Sequence, residues 1–197
     1  MIILDVETTG LYPKKNSIGS IGALDFSNPA NQFYEECRIW DGAEISQQAL
    51  EINGFAKEEL RNSDKQSLET IIKKFIEWAD KIDDKTIAGE NPSFDRDFLI
   101  DSIERYGLKW RVGHRTVDLH SLVYSHHLKI GIAPPRKDGR TDLNTDKILE
   151  YLGLPKEPKP HRALTGAKME AEAFSRLIYR KSLLEEFKNF PIPPYLI

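Results

Sequence analysis

Two carboxylic acids, Asp5 and Glu7, lie two residues apart at the end of a first strand that the apolar run 2–6 predicts. Side chains alternate between the two faces of a strand, so both carboxylates point to the same face. They repel each other unless a cation lies between them, and a hard divalent ion such as Mg²⁺ or Mn²⁺ prefers oxygen ligands. The pair therefore predicts a metal site, and the alternative is a solvent-facing pair at a strand end.

Two further residues suit the same chemistry. Asp95 lies in the first turn of a helix predicted over 93–106, where an isolated acid more often only stabilises the helix dipole. His161 precedes a long predicted helix. A histidine with an ordinary pKa of about 6.5 can take a proton from water near neutral pH, and the alternative is a hydrogen-bonded structural histidine beside prolines.

The elements that must position these residues belong to one α/β domain. Strands are predicted at 2–6, 17–26, 31–40, 85–89 and 115–119, and helices at 66–82, 93–106, 118–128, 142–152 and after His161. Residues 28–31 are predicted to be the tight connection between the second and third strands, and residues 130–141, rich in proline, glycine and basic residues, are predicted to be a loop. Three strands followed by alternating helices and strands predict a mixed sheet, antiparallel in its first part and parallel in its later part.

Composition limits the classes of function. The chain has 197 residues and a formal net charge of -3, which excludes a strongly basic nucleic-acid coat but not an enzyme that contacts nucleic acid through bound cations. No stretch approaches the ~20 apolar residues of a membrane helix, so we expect no membrane partner. The single cysteine, Cys37, favours a reducing compartment, and we expect a cytoplasmic location.

Three motifs together resemble the DEDD exonuclease superfamily in its histidine-containing DEDDh branch, which includes the epsilon subunit of DNA polymerase III, ribonuclease T and oligoribonuclease. Residues 5–10 (DVETTG) match the Asp-x-Glu-Thr-Thr-Gly form of the first motif. Residues 91–95 (NPSFD) match the Asn-x-x-Phe-Asp form of the second motif. Residues 161–167 (HRALTGA) match the third motif, in which a histidine opens the last long helix.

The resemblance implies a fold and an activity. The fold is a ribonuclease-H-like three-layer α/β fold with a mixed five-stranded sheet flanked by helices, and we expect it to span residues 1–182, followed by a C-terminal tail at 183–197. The activity is metal-dependent 3′–5′ hydrolysis that releases nucleoside 5′-monophosphates from the 3′ ends of single-stranded DNA or RNA. A polymerase partner and a homodimer both stay open.

The resemblance also implies site residues. Two divalent ions, Mg²⁺ or Mn²⁺, would be held by Asp5, Glu7 and Asp95, with His161 as the base that takes the proton of the attacking water. The residues implied to bind substrate are Thr8, Thr9, Gly10, Leu11, Asn91 and Phe94.

The third motif departs from the family pattern at one position. The pattern has an aspartate five residues after the histidine, and Gly166 stands there. Glycine inside a helix costs roughly 1 kcal/mol relative to alanine, so no helical preference recommends it. Loss of the carboxylate removes one oxygen donor and one negative charge. The sequence therefore predicts weaker metal binding and impaired hydrolysis.

Three interpretations of Gly166 stay open. The chain is a variant inactivated on purpose, or it is a natural homologue with impaired catalysis that still binds nucleic acid, in the limit a non-catalytic end-binding module. The third interpretation is that Glu170, one turn further along the same side of the helix, supplies the missing carboxylate. The alternative for Glu170 is a solvated helix residue.

Overall fold

A five-stranded mixed sheet runs through the centre of the computed structural model, which describes residues 1–196. The strands are β1 (Ile2–Thr8), β2 (Ile18–Asp25), β3 (Asn28–Glu36), β4 (Ile87–Gly89) and β5 (Thr116–Asp118). Their order in the sheet is β3-β2-β1-β4-β5. The first three strands form an antiparallel meander, and β4 and β5 run parallel to β1. The predicted mixed five-stranded sheet is confirmed.

Helices cover both faces of this sheet. They are α1 (Gln47–Asn53), α2 (Lys57–Leu60), α3 (Leu68–Ala79), α4 (Pro92–Arg105), α5 (Leu119–Lys129), α6 (Thr145–Tyr151) and α7 (Ala163–Tyr179). Because β1 side chains alternate, Ile2 and Leu4 pack with α3 and α4, whereas Ile3 packs with α5, α6 and α7. The result is the predicted three-layer arrangement. No helix within residues 1–196 is both long enough and apolar enough to cross a membrane.

Two local predictions are wrong. The connection between β2 and β3 is the two-residue turn at 26–27, and β3 already begins at Asn28. The Asp25 side chain accepts a hydrogen bond from the Ser27 amide at 2.9 Å and closes this turn. Pro29 is tolerated in β3 because that strand lies at the edge of the sheet. The segment 130–141, predicted to be a loop, contains a short hairpin of β6 (Arg136–Lys137) and β7 (Arg140–Thr141).

A buried ion pair connects α7 to the chain that follows it. The side chains of Glu172 and Arg176 are fully buried and lie 2.8 Å apart. Arg176 donates to the carbonyl groups of Leu152, Gly153, Phe187, Phe190 and Pro191. Glu172 accepts from the Leu183 and Leu184 amides. These bonds hold the segment 183–191 against α7, and the boundary at residue 182 stays a prediction.

The start of α7 lies directly on the sheet. Gly22 of β2 pairs with Asp5 of β1, and a Cβ atom at Gly22 would lie 2.1 Å from the Ala163 carbonyl carbon and the Leu164 amide nitrogen. Real Cβ atoms do not approach backbone atoms this closely, so position 22 admits only glycine unless α7 moves. Gly22 therefore sets the distance between α7 and the end of β1.

This close approach makes Gly22→Ala a test of the packing. We expect this variant to be destabilised by about 1–3 kcal/mol, because overpacking displaces a helix rather than a flexible side chain. Urea unfolding measures the change. Gly113→Ala is the matched control, since a Cβ atom there would meet nothing within 4 Å. Equal stability of the two variants would contradict the packing account.

Candidate active site

The three motifs meet in a pocket of about 190 Å³ between the end of β1, the start of α4 and the start of α7. The predicted residues that line it are Asp5, Glu7, Asn91, Phe94, Asp95, His161 and Gly166. The others are Val6, Glu90, Thr145, Glu157 and Glu170. The structure thus brings together the predicted carboxylates, the predicted histidine and the glycine that departs from the family pattern.

The backbone of β1 explains how the first two motifs meet. Asp5 and Glu7 share the face of Ile3 and point towards α7. The parallel pairing of β1 with β4 stops at Ile3, so it does not extend to the amide of Val6. Asp95, in the first turn of α4, accepts a hydrogen bond from that amide at 2.9 Å. This bond fixes α4 against the end of β1 and holds the Asp95 carboxyl in the pocket.

Burial makes the pocket unfavourable for negative charge. Burial raises the pKa of Asp95 to about 8. It raises the pKa of Glu157 to about 7, and together with the charge of Glu157 it raises the pKa of Glu7 to about 7. Burial, followed by the charge of Asp95, holds the pKa of Asp5 and of Glu170 well above the usual range of a carboxyl group. A cation bound among these groups would favour their charged forms and lower each of these pKa values.

Two carboxylate oxygens in the pocket support this inference. Oε1 of Glu157 and Oε2 of Glu170 are buried and have no hydrogen-bond partner within residues 1–196. A buried polar atom without a partner is costly. Oxygen donors of this kind fit a hard divalent cation, so the residues present suit the metal that the family resemblance implies.

His161 lies at the rim of the pocket, with 30% of its side chain exposed. Its Nδ1 atom is 3.4 Å from Oε2 of Glu157. Atoms of Glu7, Glu157 and His161 all lie within 4.8 Å of one another. Burial and the charge of Lys159 lower the pKa of His161, so its ring is neutral near pH 7 and can accept a proton.

The sequence did not predict Glu157, and it left Glu170 open between a substitute ligand and a solvated helix residue. Glu157 is the one acid between Glu150 and Glu170 and lies four residues before His161, but its proline-rich segment has no regular structure from which a direction could be predicted. The alternative of a solvated Glu170 is wrong, because this residue is only 7% exposed. Glu90, also missed, accepts a hydrogen bond from Thr145 at 3.3 Å.

A second pocket of about 250 Å³ adjoins the first one and shares Val6, Glu7 and Phe94 with it. Of the predicted substrate residues, Thr8, Gly10, Leu11 and Phe94 line this second pocket, and α1 closes its far side. Leu11 is 69% exposed, which leaves its side chain free to contact a ligand.

Thr9 does not line either pocket. It is buried, and its hydroxyl donates to the Glu44 carbonyl at 2.7 Å and accepts from the Ser17 amide at 2.9 Å. The backbone of Thr9 also accepts from Asn16 and bonds to Ser46. Its side chain therefore fixes the loop after β1.

The sequence model of the RNase_T family, described as exonuclease, matches residues 2–174. The chain belongs to this exonuclease family. This chain is 32% identical over 180 residues to the PolC-type DNA polymerase III of Thermotoga maritima, a match that covers 90% of this chain and 12% of the polymerase. The PolC-type protein of Listeria monocytogenes is 26% identical over 126 residues, which are 63% of this chain and 8% of that protein. The chain thus spans no more than 12% of the length of these two relatives.

Solved nucleases share the fold of this chain. The nuclease domain of 3′hExo, described as a DEDDh family member bound to rAMP, superimposes with a TM-score of 0.68 at 16% identity over 98% of this chain and 94% of that domain. Exonuclease I of E. coli in complex with a 5cy-dT13 oligonucleotide gives a TM-score of 0.70 at 18% identity over 91% of this chain and 40% of that one. The predicted exonuclease family and the predicted ribonuclease-H-like fold are confirmed.

The raised pKa of Asp95 leads to a prediction for the stability of the protein without metal. A carboxyl group with a higher pKa in the folded state makes the protein lose stability as the pH rises from about 4 to about 8. Asp95→Asn keeps an acceptor for the Val6 amide but carries no charge. We expect it to be more stable than the parent at pH 8 by about 1–3 kcal/mol, and the difference to shrink towards zero near pH 4. Urea unfolding in EDTA measures both values.

Asp97→Asn is the control for this experiment. Asp97 lies on the same helix, but 54% of its side chain is exposed and it pairs with Arg96 outside the pocket. Its substitution should not reproduce the gain in stability that we expect for Asp95→Asn at pH 8. An Asp95→Asn variant that is less stable than the parent at pH 8 in EDTA would show that burial does not raise the pKa of this carboxyl group.

Proposed function

We propose that the chain is a divalent-metal-dependent 3′–5′ exonuclease that removes nucleoside 5′-monophosphates from the ends of single-stranded nucleic acid. The observation that carries this proposal is the buried carboxylate pocket with a neutral histidine at its rim and an apolar pocket beside it. A phosphodiester is an anion and would be repelled by these carboxylates alone. Bound cations are therefore part of the proposal.

Asp5, Glu7 and Asp95 are the residues that we propose hold the metal ions. Two divalent ions in such a site supply an acidified water and neutralise the charge of the phosphate. Mg²⁺ and Mn²⁺ both suit an all-oxygen donor set. His161 takes the proton of the attacking water, since its ring is neutral near pH 7 and 30% of its side chain is open to solvent.

The adjoining pocket is suited to the terminal nucleotide. Leu11, Ile52 and Phe94 present apolar surface next to Glu7. Apolar and aromatic contact with a base requires no particular sequence, so we expect little base preference. The Gly10 backbone and the Thr8 side chain line the same space, and Asn91 lies at the start of α4 in the carboxylate pocket. These residues would seat the sugar and phosphate of the last nucleotide.

The substrates of similar proteins support this assignment. The matched relatives are PolC-type DNA polymerases, and structures of similar fold contain dT13 oligonucleotides or rAMP. Both DNA and RNA 3′ ends are consequently included in the proposed substrate class. The polymerase relatives also favour a polymerase as the partner of this chain. They favour the cytoplasm as its location, because bacterial DNA is replicated there.

An exonuclease assay tests the function. We expect 5′-labelled single strands to shorten from the 3′ end in the presence of Mn²⁺, with nucleoside 5′-monophosphates as products. His161→Gln should lower the rate by about 10²–10⁴-fold, because it removes the general base but not the carboxylates. His114→Gln, at an exposed position outside both pockets, is the control.

Two outcomes would contradict the proposal. Release of nucleoside 3′-monophosphates would exclude the proposed bond cleavage. Tight binding of 3′ ends without hydrolysis, in the parent and in His161→Gln alike, would favour the end-binding module. Impaired hydrolysis caused by Gly166 remains a prediction from the sequence.

A further inference from the structure

The space next to Gly166 is already occupied by carboxylate oxygens. A Cβ atom at this position would lie 2.1 Å from Oδ2 of Asp5 and 3.5 Å from Oε1 of Glu157. A side chain at position 166 would therefore point into the region where these two carboxyl groups meet. A family-type aspartate would have to share that region with Glu157.

Glu157 has the properties of a ligand that lacks its partner. Only 9% of its side chain is exposed, and Oε1 is buried without a hydrogen-bond donor within the described residues. Its other oxygen, Oε2, faces Nδ1 of His161 at 3.4 Å. A buried carboxylate oxygen without a donor destabilises the folded protein, and a bound cation would remove this destabilisation.

Glu170 is the less suitable substitute for the missing carboxylate. Its Oε2 atom lies 2.9 Å from the point where a Cβ atom of Gly89 would be, deep against β4. The three atoms nearest to the Cβ position of Gly166 belong to Asp5 and Glu157, and Oε1 of Glu157 lies 3.5 Å from it. No atom of Glu170 is among them. The loop before α7, rather than the next turn of α7, reaches the vacant ligand position.

We propose that Glu157 replaces the carboxylate that the family pattern places at position 166, and that it binds a divalent cation together with Asp5 and Glu7. This inference rests on the proposed exonuclease function and deepens it, because it restores four carboxylates to the site. The site then has as many carboxylate ligands as the family pattern, and one of them comes from the loop before α7 instead of from α7. On this account Gly166 leaves space for the carboxyl group of Asp5, and the carboxylate that position 166 lacks comes from Glu157.

A double-mutant cycle tests the replacement. The variants are Glu157→Gln, Gly166→Asp and the combination of both, and the readouts are Mn²⁺ affinity by calorimetry and the rate of hydrolysis. We expect Glu157→Gln to weaken Mn²⁺ binding by about tenfold or more and to slow hydrolysis in proportion. The combined variant should recover to within about threefold of the parent, because the Asp5 carboxyl can rotate away from the new Cβ atom and the aspartate then restores the carboxylate that the glutamine lacks.

Two further variants show whether a loss of Mn²⁺ affinity is specific to Glu157. Glu150→Gln, an exposed residue of α6 outside the carboxylate pocket, should bind Mn²⁺ as the parent does. Glu170→Gln distinguishes the two candidate acids. The melting temperature in EDTA checks folding, and Glu157→Gln should melt no lower than the parent because it removes a buried charge.

Several outcomes would overturn the proposal. Unchanged Mn²⁺ affinity in Glu157→Gln excludes Glu157 as a ligand, and a loss confined to Glu170→Gln assigns the position to Glu170. A loss in Glu157→Gln that Gly166→Asp does not recover excludes the replacement. Since Mn²⁺ binding is measured without nucleic acid, absence of hydrolysis in every protein would contradict the exonuclease function while leaving the ligand test intact.

Discussion

The mutual repulsion of buried carboxylates is the constraint on which the rest of this structure depends. Asp5, Glu7, Asp95, Glu157 and Glu170 converge in one pocket, and burial raises the pKa of each. A protein gains nothing in stability from such an arrangement unless a cation enters it. The strained pocket and its unpartnered oxygens are therefore the strongest physical argument for a metal site, and they are independent of any resemblance.

The fold maintains this pocket through the placement of α7. The helix begins against Gly22, which is paired with Asp5 on the neighbouring strand, so the helix backbone lies as close to the sheet as the backbone atoms allow. Further along, the buried pair of Glu172 and Arg176 ties α7 to the following segment. Since α7 cannot retreat, a side chain at Gly166 must compete with Asp5 for space. A carboxylate from the loop before α7 can lie beside Asp5, because position 166 carries no side chain that would fill this space.

The sequence predicted those parts of the site that regular structure positions. Alternation along a strand places Asp5 and Glu7 on one face, and the first turn of a helix places Asp95 beside them. Glu157 could not be predicted, because a proline-rich segment without periodicity does not determine where its side chains point. The burial of Glu170 stayed open because a charged residue on a helix is usually solvated. The turn between β2 and β3 was misplaced since a proline in an edge strand resembles a turn signal.

The central claim is that the carboxylate pocket binds divalent cations with Glu157 among the ligands. Crystals grown with Mn²⁺ and a nucleoside 5′-monophosphate, measured for anomalous scattering, test it most directly. The account predicts an anomalous peak within ligand distance of carboxylate oxygens of Asp5, Glu7 and Glu157, with the nucleotide base against Phe94. A map in which this pocket holds no peak at saturating Mn²⁺, or in which the peak lies beyond the reach of Glu157, would contradict it.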